Sequence, residues 1–312
     1  MTAMTPITDL FERRTVFPDV MMQERYARLL GLDDHKSRLT KILGLLVNPA
    51  GLERWHAAHH PKTATLLSIV LRRPPLVVLA GDVGPGKTEL AETVGDAVAR
   101  AEKIDVTLLP LSLSTRGQGR VGEMTQLLSA AFDHTFTEGI KLKASAGKAR
   151  GGIVMLIDEA DALAQSRETA QMHHEDRAGV NALIRGVDRI ASNKQAVAVI
   201  MCTNRLAALD PAVKRRAADI LVFARPNDEQ RRAVLSDAFT PMGFTAREVG
   251  QLVKVTGPHS GRDYGFTFSD LTQRLLPAIV LDAYPSQPVT GSRAVEVAAG
   301  IVPTPPFKEQ NQ

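Results

Sequence analysis

Two short stretches carry residue types that together could handle a nucleoside triphosphate. Gly81-Asp82-Val83-Gly84-Pro85-Gly86-Lys87-Thr88 fits the pattern G-x-x-x-x-G-K-[ST] and follows the apolar run Leu76 to Ala80. In such a loop the glycines let the backbone turn so that its N–H groups converge on phosphates, and the next helix adds its positive end. Lys87 would reach the β and γ phosphates as a point charge, and Thr88 would place its hydroxyl on Mg²⁺, with Glu89 completing the nucleotide-contacting stretch. A chance glycine-rich turn would lack these flanks, because Leu90, Val94, Ala97 and Val98 continue at helical spacing. The second stretch lies about seventy residues on, where the apolar run Ile153 to Ile157 ends in Asp158-Glu159. Asp158 would hold Mg²⁺, largely through water, and Glu159 would polarise an attacking water. Many strands end in acids, but here both halves of a nucleotide site appear in the correct order.

Further residues could complete that chemistry. Asn204 closes another apolar run, Ala196 to Cys202, where its amide could hydrogen-bond the attacking water or the γ-phosphate; an isolated Asn there would be read as a turn residue. Arg215-Arg216 ends the short basic segment Asp210 to Arg216. It is either a solvated helix end with favourable dipole placement or an arginine finger inserted into a neighbouring subunit's site. The string Asp158-Glu159-Ala160-Asp161 is shared with DEAD-box helicases, but no second helicase core follows.

Alternating strands and helices must position these groups. Strands are expected at Leu76 to Ala80, Ile104 to Leu113, Ile153 to Ile157, Ala196 to Cys202 and Ile220 to Phe223. Helices are expected over Leu39 to Leu46 and ended by Pro49, over Leu52 to Ile69 with a break at His60-Pro61, from about Glu123 to Phe132, and around Val180 to Val187. Glu138 to Gly152 reads as a surface loop. After Arg225 the pattern is helical only, with segments at Glu229 to Phe239, Ala246 to Val255 and Phe268 to Tyr284. This predicts an α/β fold with a doubly wound, five-stranded parallel sheet, followed by a small all-helical lid. The expected division is an N-terminal extension (1–26), a large α/β domain (27–225), a helical lid (226–300) and a flexible, Pro-rich tail (301–312).

Composition bounds the partners. The 312 residues have a formal charge of +4 and an isoelectric point near 9.3, so nucleic acid must be considered. Against it, the charges are interspersed and aromatics make up only 4%, leaving few platforms for bases. The single cysteine, Cys202, fits a reducing, cytoplasmic compartment. No apolar stretch reaches eighteen residues, and the first residues have no secretory h-region, so membrane spanning and secretion are not expected.

GDVGPGKT, IVMLIDEAD, VAVIMCTNRLAALDPAVKRR and ILVFARPNDEQRRAVL, in this order and spacing, resemble the AAA+ ATPase module from about Gly31 to Tyr284. The resemblance implies ATP and Mg²⁺ as cofactors, a ring that is usually a homo-hexamer, and a central pore that pulls on a polypeptide as hydrolysis changes the angle between α/β domain and lid. It assigns Walker A to Gly81 through Thr88, Walker B to Asp158 and Glu159, sensor 1 to Asn204, and the finger to Arg215 or Arg216, with Arg216 favoured. Gly31 to Asp33, with Leu32 at its centre, resembles the linker that packs on adenine. Within AAA+, EDRAGVNALIRGVDRI, RRAADI and LLPAIVLDAY are most similar to the pachytene-checkpoint family, which unfolds part of HORMA-domain proteins. Its bacterial members imply a HORMA substrate in anti-phage signalling built on cyclic-oligonucleotide messengers.

The chain also departs from the family. Asp82, Val83 and Pro85 occupy the variable places of a loop that usually reads G-x-P-G-T-G-K-T. The slot of the pore-loop aromatic falls on Arg120, followed by Val121; Arg120 would grip by its aliphatic stem or select an acidic strand, or the loop is merely solvated. The second-sensor position is open between Arg274, Arg262 and Ser269. About thirty residues precede Gly31, too few for an adaptor domain. Two other functions are consistent with the residues: a nucleic-acid motor or loader using Arg116, Arg120, Lys141, Lys143 and Lys148, and a nucleotide-gated scaffold with slow turnover.

Overall fold

The computed structural model describes residues 10–62, 64–112, 123–142, 149–161, 174–207 and 209–306. Strand β1 (Thr15–Phe17) and helices α1 (Val20–Ala27), α2 (Asp33–Val47), α3 (Pro49–His59) and α4 (Ala64–Val70) precede β2 (Leu76–Gly81). Then follow α5 (Lys87–Glu102), β3 (Val106–Ser112), α6 (Glu123–Leu142), β4 (Gly152–Asp158), α7 (His174–Asn193), β5 (Val197–Thr203), α8 (Pro211–Lys214) and β6 (Ala217–Phe223). The rest is helical: α9 (Asp228–Phe239), α10 (Ala246–Thr256), a π-helical turn (Asp270–Leu275) running into α11 (Leu276–Ala283), and α12 (Gly291–Gly300). The chain divides into two compact units, one made of residues up to Tyr26 with Asp34–Ala80 and Thr88–Val222, the other of Ala27–Asp33, Gly81–Lys87 and everything from Phe223.

The first unit is built on a six-stranded sheet of order β1-β3-β4-β5-β2-β6. The pairs β3/β4, β4/β5 and β2/β5 are parallel. Every residue of β5, and all but the last of β2 and β4, is buried. That is the signature of strands covered on both faces, which read as continuous apolar runs rather than alternating ones. On one face Val78, Met155, Ile157 and Val199 form a core with Leu128 and Phe132 of α6 and Val180 and Leu183 of α7.

The expected five strands are present, and the sheet has a sixth. The segment expected to be a loose extension supplies β1, antiparallel to β3, with Val16 opposite Thr107. It is held because it has apolar surface to bury: Phe11 and Phe17 are fully buried, and the Phe17 ring lies against Gly95 of α5, where a Cβ would come within 2.3 Å of it. Asp19 then fastens the turn into α1, its N–H donating to Asp96 Oδ1 at 2.7 Å and its carboxylate accepting from the Met22 N–H at 2.9 Å. Pro49 begins α3 rather than merely ending α2, consistent with proline's fitness for a first helical turn. Helix α6 runs on to Leu142, past the expected end near Phe132 and into the expected loop, and Lys141 pairs with Glu138 along this last part.

In the second unit, α9 and α10 both open on capping boxes, Asn227 with Gln230 and Thr245 with Glu248. The tail expected to be flexible from residue 301 is tied down where it is described. Thr304 donates its N–H and hydroxyl to the two oxygens of Asp270, at 3.1 and 2.8 Å, and Pro303 is buried. Burial works to raise the Asp270 carboxyl, but hydrogen bonds from Thr267, Thr304 and Arg274 outweigh it and hold the group below the ordinary carboxylate range. Helix α12 has no counterpart among the expected segments; its buried face is made of small residues, Gly291, Ala294 and Ala298.

If β1 is part of the core rather than an appendage, Phe17→Ala should cost about 3–5 kcal/mol of folding stability. Urea unfolding checks this; a loss below about 1 kcal/mol would mean that β1 is detachable.

Candidate functional site

In the first unit the acidic residues stand at the C-terminal edge of the sheet, where open α/β sheets place their ligands. Strand β4 is buried up to Ile157, and Asp158 is its first residue to reach solvent. Burial pushes the Asp158 carboxyl above the ordinary range; hydrogen bonds from the Glu159 N–H (2.9 Å) and the Thr88 hydroxyl (3.4 Å) oppose this, while the nearby carboxylates of Glu159 and Glu92 add to it. A desolvated carboxylate beside a hydroxyl, with further acids close by, is a donor set suited to a hard divalent cation. Glu159 is exposed and has φ of 52°, in the left-handed region that non-glycine residues rarely occupy. Such strain persists where the surroundings impose it, and here the next residues are pinned: the Ala160 N–H donates to the Cys202 carbonyl at 3.0 Å.

Asp161 is the residue that sequence reasoning passed over, having met it only as the last letter of a helicase-like string. Its Oδ1 accepts from the Thr203 hydroxyl at 2.8 Å and the Asn204 N–H at 2.7 Å, and its Oδ2 lies 3.4 Å from the Asn204 amide nitrogen. One carboxylate therefore joins the turn after β4 to the end of β5 and orients Asn204 relative to Glu159. The signal was available in sequence, since a polar residue two after the acidic pair would sit beside the neighbouring parallel strand's end. Glu89, expected to contact nucleotide, is engaged by Arg25: Nε and Nη2 donate to its two oxygens at 2.8 and 2.7 Å, and Nη2 also reaches Glu92 at 2.8 Å. Arg13 pairs with Glu92 as well. Nothing local announced Arg25, which lies 64 residues from Glu89.

Arg215 and Arg216 differ sharply. Arg216 makes a two-pronged ion pair with Asp188 of α7, Nε and Nη2 donating at 2.7 and 2.9 Å. These hydrogen bonds to the Asp188 carboxylate raise the guanidinium above its ordinary value. Arg215 is exposed, and its guanidinium makes no hydrogen bond or ion pair with any other described residue.

The phosphate loop belongs to the second unit. Gly84 and Gly86 have φ of 77° and 93°, so any other residue would be strained there. They also face tight neighbours: a Cβ on Gly84 would lie 2.9 Å from Thr267 Oγ1, and one on Gly86 3.1 Å from Leu32 Cδ1. Leu32, expected at the base moiety, is thus packed against the loop, and Gly31 is fixed by Gln230 Nε2, which donates to its carbonyl at 2.6 Å. Lys87 is buried, its Nζ donating to the carbonyls of Gly81 (3.0 Å) and Asp82 (2.5 Å). Pro85 is buried, while Val83 is exposed. A buried ammonium held on loop carbonyls, within a loop that only glycine can trace, fits a polyphosphate ligand.

Of the three second-sensor candidates, Ser269 is bonded to the loop, its N–H donating to the Gly84 carbonyl at 3.1 Å. Arg262 is committed to the carbonyls of Val255 and Gly257. Arg274 is half-exposed and donates to Asp270 at 2.9 Å. The expected pore-loop residues Arg120 and Val121 lie outside the described residues. Among the described residues no helix is long and apolar enough to cross a membrane.

The raised carboxyl of Asp158 has a consequence for stability. A folded-state value above the unfolded one means that this group favours folding at low pH and loses that contribution as pH rises through the folded value. Asp158→Asn keeps the acceptor for the Glu159 N–H and removes the charge. In the nucleotide-free chain it should therefore raise the melting temperature by a few degrees at pH 7, with the gain fading towards pH 4. Paired thermal melts at the two pH values test this; a variant that melts lower at pH 7 would contradict it.

Comparison with known proteins agrees with this arrangement. Residues 77–225 match the profile of the ATPase family associated with various cellular activities (AAA). The chain is 63% identical to CD-NTase-associated protein 6 of Escherichia coli strain MS 115-1, over 98% of this chain and 99% of that protein. Among solved structures it is similar to a chain of the E. coli MS115-1 HORMA:CdnC:Trip13 complex, with 62% identity, a TM-score of 0.90, and coverage of 97% of this chain and 99% of that one. Rhizobiales Trip13 follows at 52% identity and a TM-score of 0.77, covering 95% and 100% of the two chains. The AAA domain of FIGL-1 in complex with ADP, at 21% identity and a TM-score of 0.63 over 96% and 90%, shares the fold. With its buried parallel sheet, glycine-traced phosphate loop and acidic strand end, the chain belongs to the AAA ATPase family.

Proposed function

We propose that this chain is the subunit of a cytoplasmic, ATP-hydrolysing ring, a homo-hexamer, that engages and partly unfolds a HORMA-domain protein in bacterial anti-phage signalling. The observation that carries the reading is the near-full-length likeness, at 62% identity, to a chain of a complex that contains a HORMA protein. The name of the 63% identical relative, a CD-NTase-associated protein, supports the signalling context.

ATP and Mg²⁺ fit the residues present. The loop from Gly81 to Thr88 offers its backbone N–H groups and Lys87 to phosphate oxygens, and Leu32, buried against Gly86, backs the loop. Thr88 and Asp158 are the residues that would hold the cation, which when bound offsets charge on the phosphates. Glu159, exposed and turned outward by its left-handed backbone, accepts a proton from water. Asn204, anchored by Asp161, orients that water. Ser269 holds the loop by its N–H, and the half-exposed Arg274 remains the arginine on the helical side that could reach phosphate.

A finger acting on a neighbour must be free of its own subunit, which favours Arg215 over the expected Arg216. Arg216, held by Asp188, then fixes α8 against α7.

Glu159→Gln should bind ATP, form a stable ring and retain a polypeptide that mass spectrometry identifies as a HORMA-domain protein. Recovery of DNA and no polypeptide would sink the remodelling reading in favour of a nucleic-acid motor. For the finger, Arg215→Ala should lower ATP turnover by about 10³ or more with nucleotide binding intact. Arg216→Ala should cost less and be mimicked by Asp188→Asn. The reverse ranking in steady-state assays would return the role to Arg216.

A further inference from the structure

Asp82 occupies a place that the phosphate-loop pattern leaves variable, and within the second unit its carboxylate is fully used. Oδ1 accepts the Val83 N–H at 2.7 Å, and Oδ2 accepts from Arg225 Nε at 2.6 Å. Arg225 follows β6, and its side chain is 13% exposed. Its Nη1 donates to two carbonyls, those of Gly265 at 2.8 Å and Thr304 at 2.7 Å, and its plane lies 5.0 Å over the Tyr264 ring. Thr304 in turn donates to Asp270, the first residue of the π-helical turn. Just before it, Ser269 donates its N–H to the Gly84 carbonyl. The loop is therefore gripped at Asp82 and at Gly84 by one continuous set of hydrogen bonds that passes through the C-terminal segment.

A nearly buried ion pair is a poor source of net stability, because desolvating both charges cancels much of their attraction. What it does supply is geometry: the planar guanidinium fixes three acceptors from residues 82, 265 and 304 relative to one another. We propose that Arg225 is a positioning residue for the phosphate loop, and that residues 301–306 act through it as a C-terminal strap that sets nucleotide affinity. This rests on the ATP-binding reading above and adds regulation to it: whatever draws the tail away from Asp270 and Arg225 loosens the grip on nucleotide.

The test uses the full chain and fluorescent mant-ADP, followed by titration, with ATP turnover in parallel. Arg225→Gln, and separately a chain stopped after Ile301, should each weaken mant-ADP binding roughly tenfold, the loss expected when hydrogen bonds to a charged group go. Combining the two should weaken it little further, since both break the same connection. KM for ATP should rise by a similar factor in each, with kcat changing far less, a split that general destabilisation would not produce. Arg225→Lys should recover part of the affinity, because it restores charge without the fork. Should Arg225→Gln fail to fold, the shortened chain and Thr304→Ala carry the comparison. Affinities within twofold of the parent, or losses that simply add, overturn the strap while leaving the ATPase reading intact. A parent chain that binds no nucleotide overturns both.

Discussion

The first unit is organised by the difficulty of keeping a carboxylate at the end of a strand that is buried on both faces. Asp158 emerges from a sheet whose neighbouring strands exclude water almost to their ends, so its charge is penalised and its carboxyl lies above the ordinary range. A domain selected only for stability would place an amide there. The retained charge is instead compensated locally, by the Glu159 N–H and the Thr88 hydroxyl, and incompletely. The remaining deficit is what a divalent cation would satisfy. Acidity at the strand end, a left-handed Glu159 and the tie from Asp161 to Asn204 are thus one arrangement: each fixes a polar group at the one edge of the sheet where the backbone leaves room.

The second unit solves a different problem. A loop that must surround phosphate cannot fill its own interior, so its shape has to be imposed from outside. Leu32 packs behind Gly86, Thr267 and Ser269 close on Gly84, and Arg225 takes Asp82. Glycine at these positions is required twice over, by backbone angle and by the closeness of these neighbours. The same crowding explains why Pro85 is tolerated: it is buried within the loop, at a place where its fixed φ adds stiffness.

How much of this was legible in sequence follows from which contacts are local. The phosphate loop, the acidic strand end and the strand-helix alternation are written in spacings of a few residues, and the strand boundaries are off by one position at β2, β4 and β5 and by two or three only at the starts of β3 and β6. In the helical unit α9 and α10 were legible too, α10 by its clear apolar period, whereas α12 was missed. What escaped depends on pairings distant in sequence. Strand β1 is only three residues long and gains its place from β3 and Gly95. Arg25 meets Glu89 across 64 residues, and Arg225 meets Asp82 across 143. Pro-rich composition suggested a loose tail, but composition could not reveal that a buried Asp270 awaited Thr304.

The two adjacent arginines are told apart by their contacts and not by their motif. By motif they are interchangeable, and the sequence preference for Arg216 had no physical basis. The ion pair between Arg216 and Asp188 is partly exposed, with side-chain exposures of 31% and 50%, so it contributes on the order of 1 kcal/mol or less. That is too little to forbid Arg216 from leaving, but a finger that had to break it at every cycle would lose that much of its interaction with the neighbour's nucleotide. Arg215 has no such tie among the described residues and also sits at the C-terminal cap of α8, where a cation is favoured by the helix dipole. These small energies separate the pair: Arg216 is tied to Asp188 of α7 and to the Ala212 carbonyl of α8, whereas Arg215 stands exposed beside it.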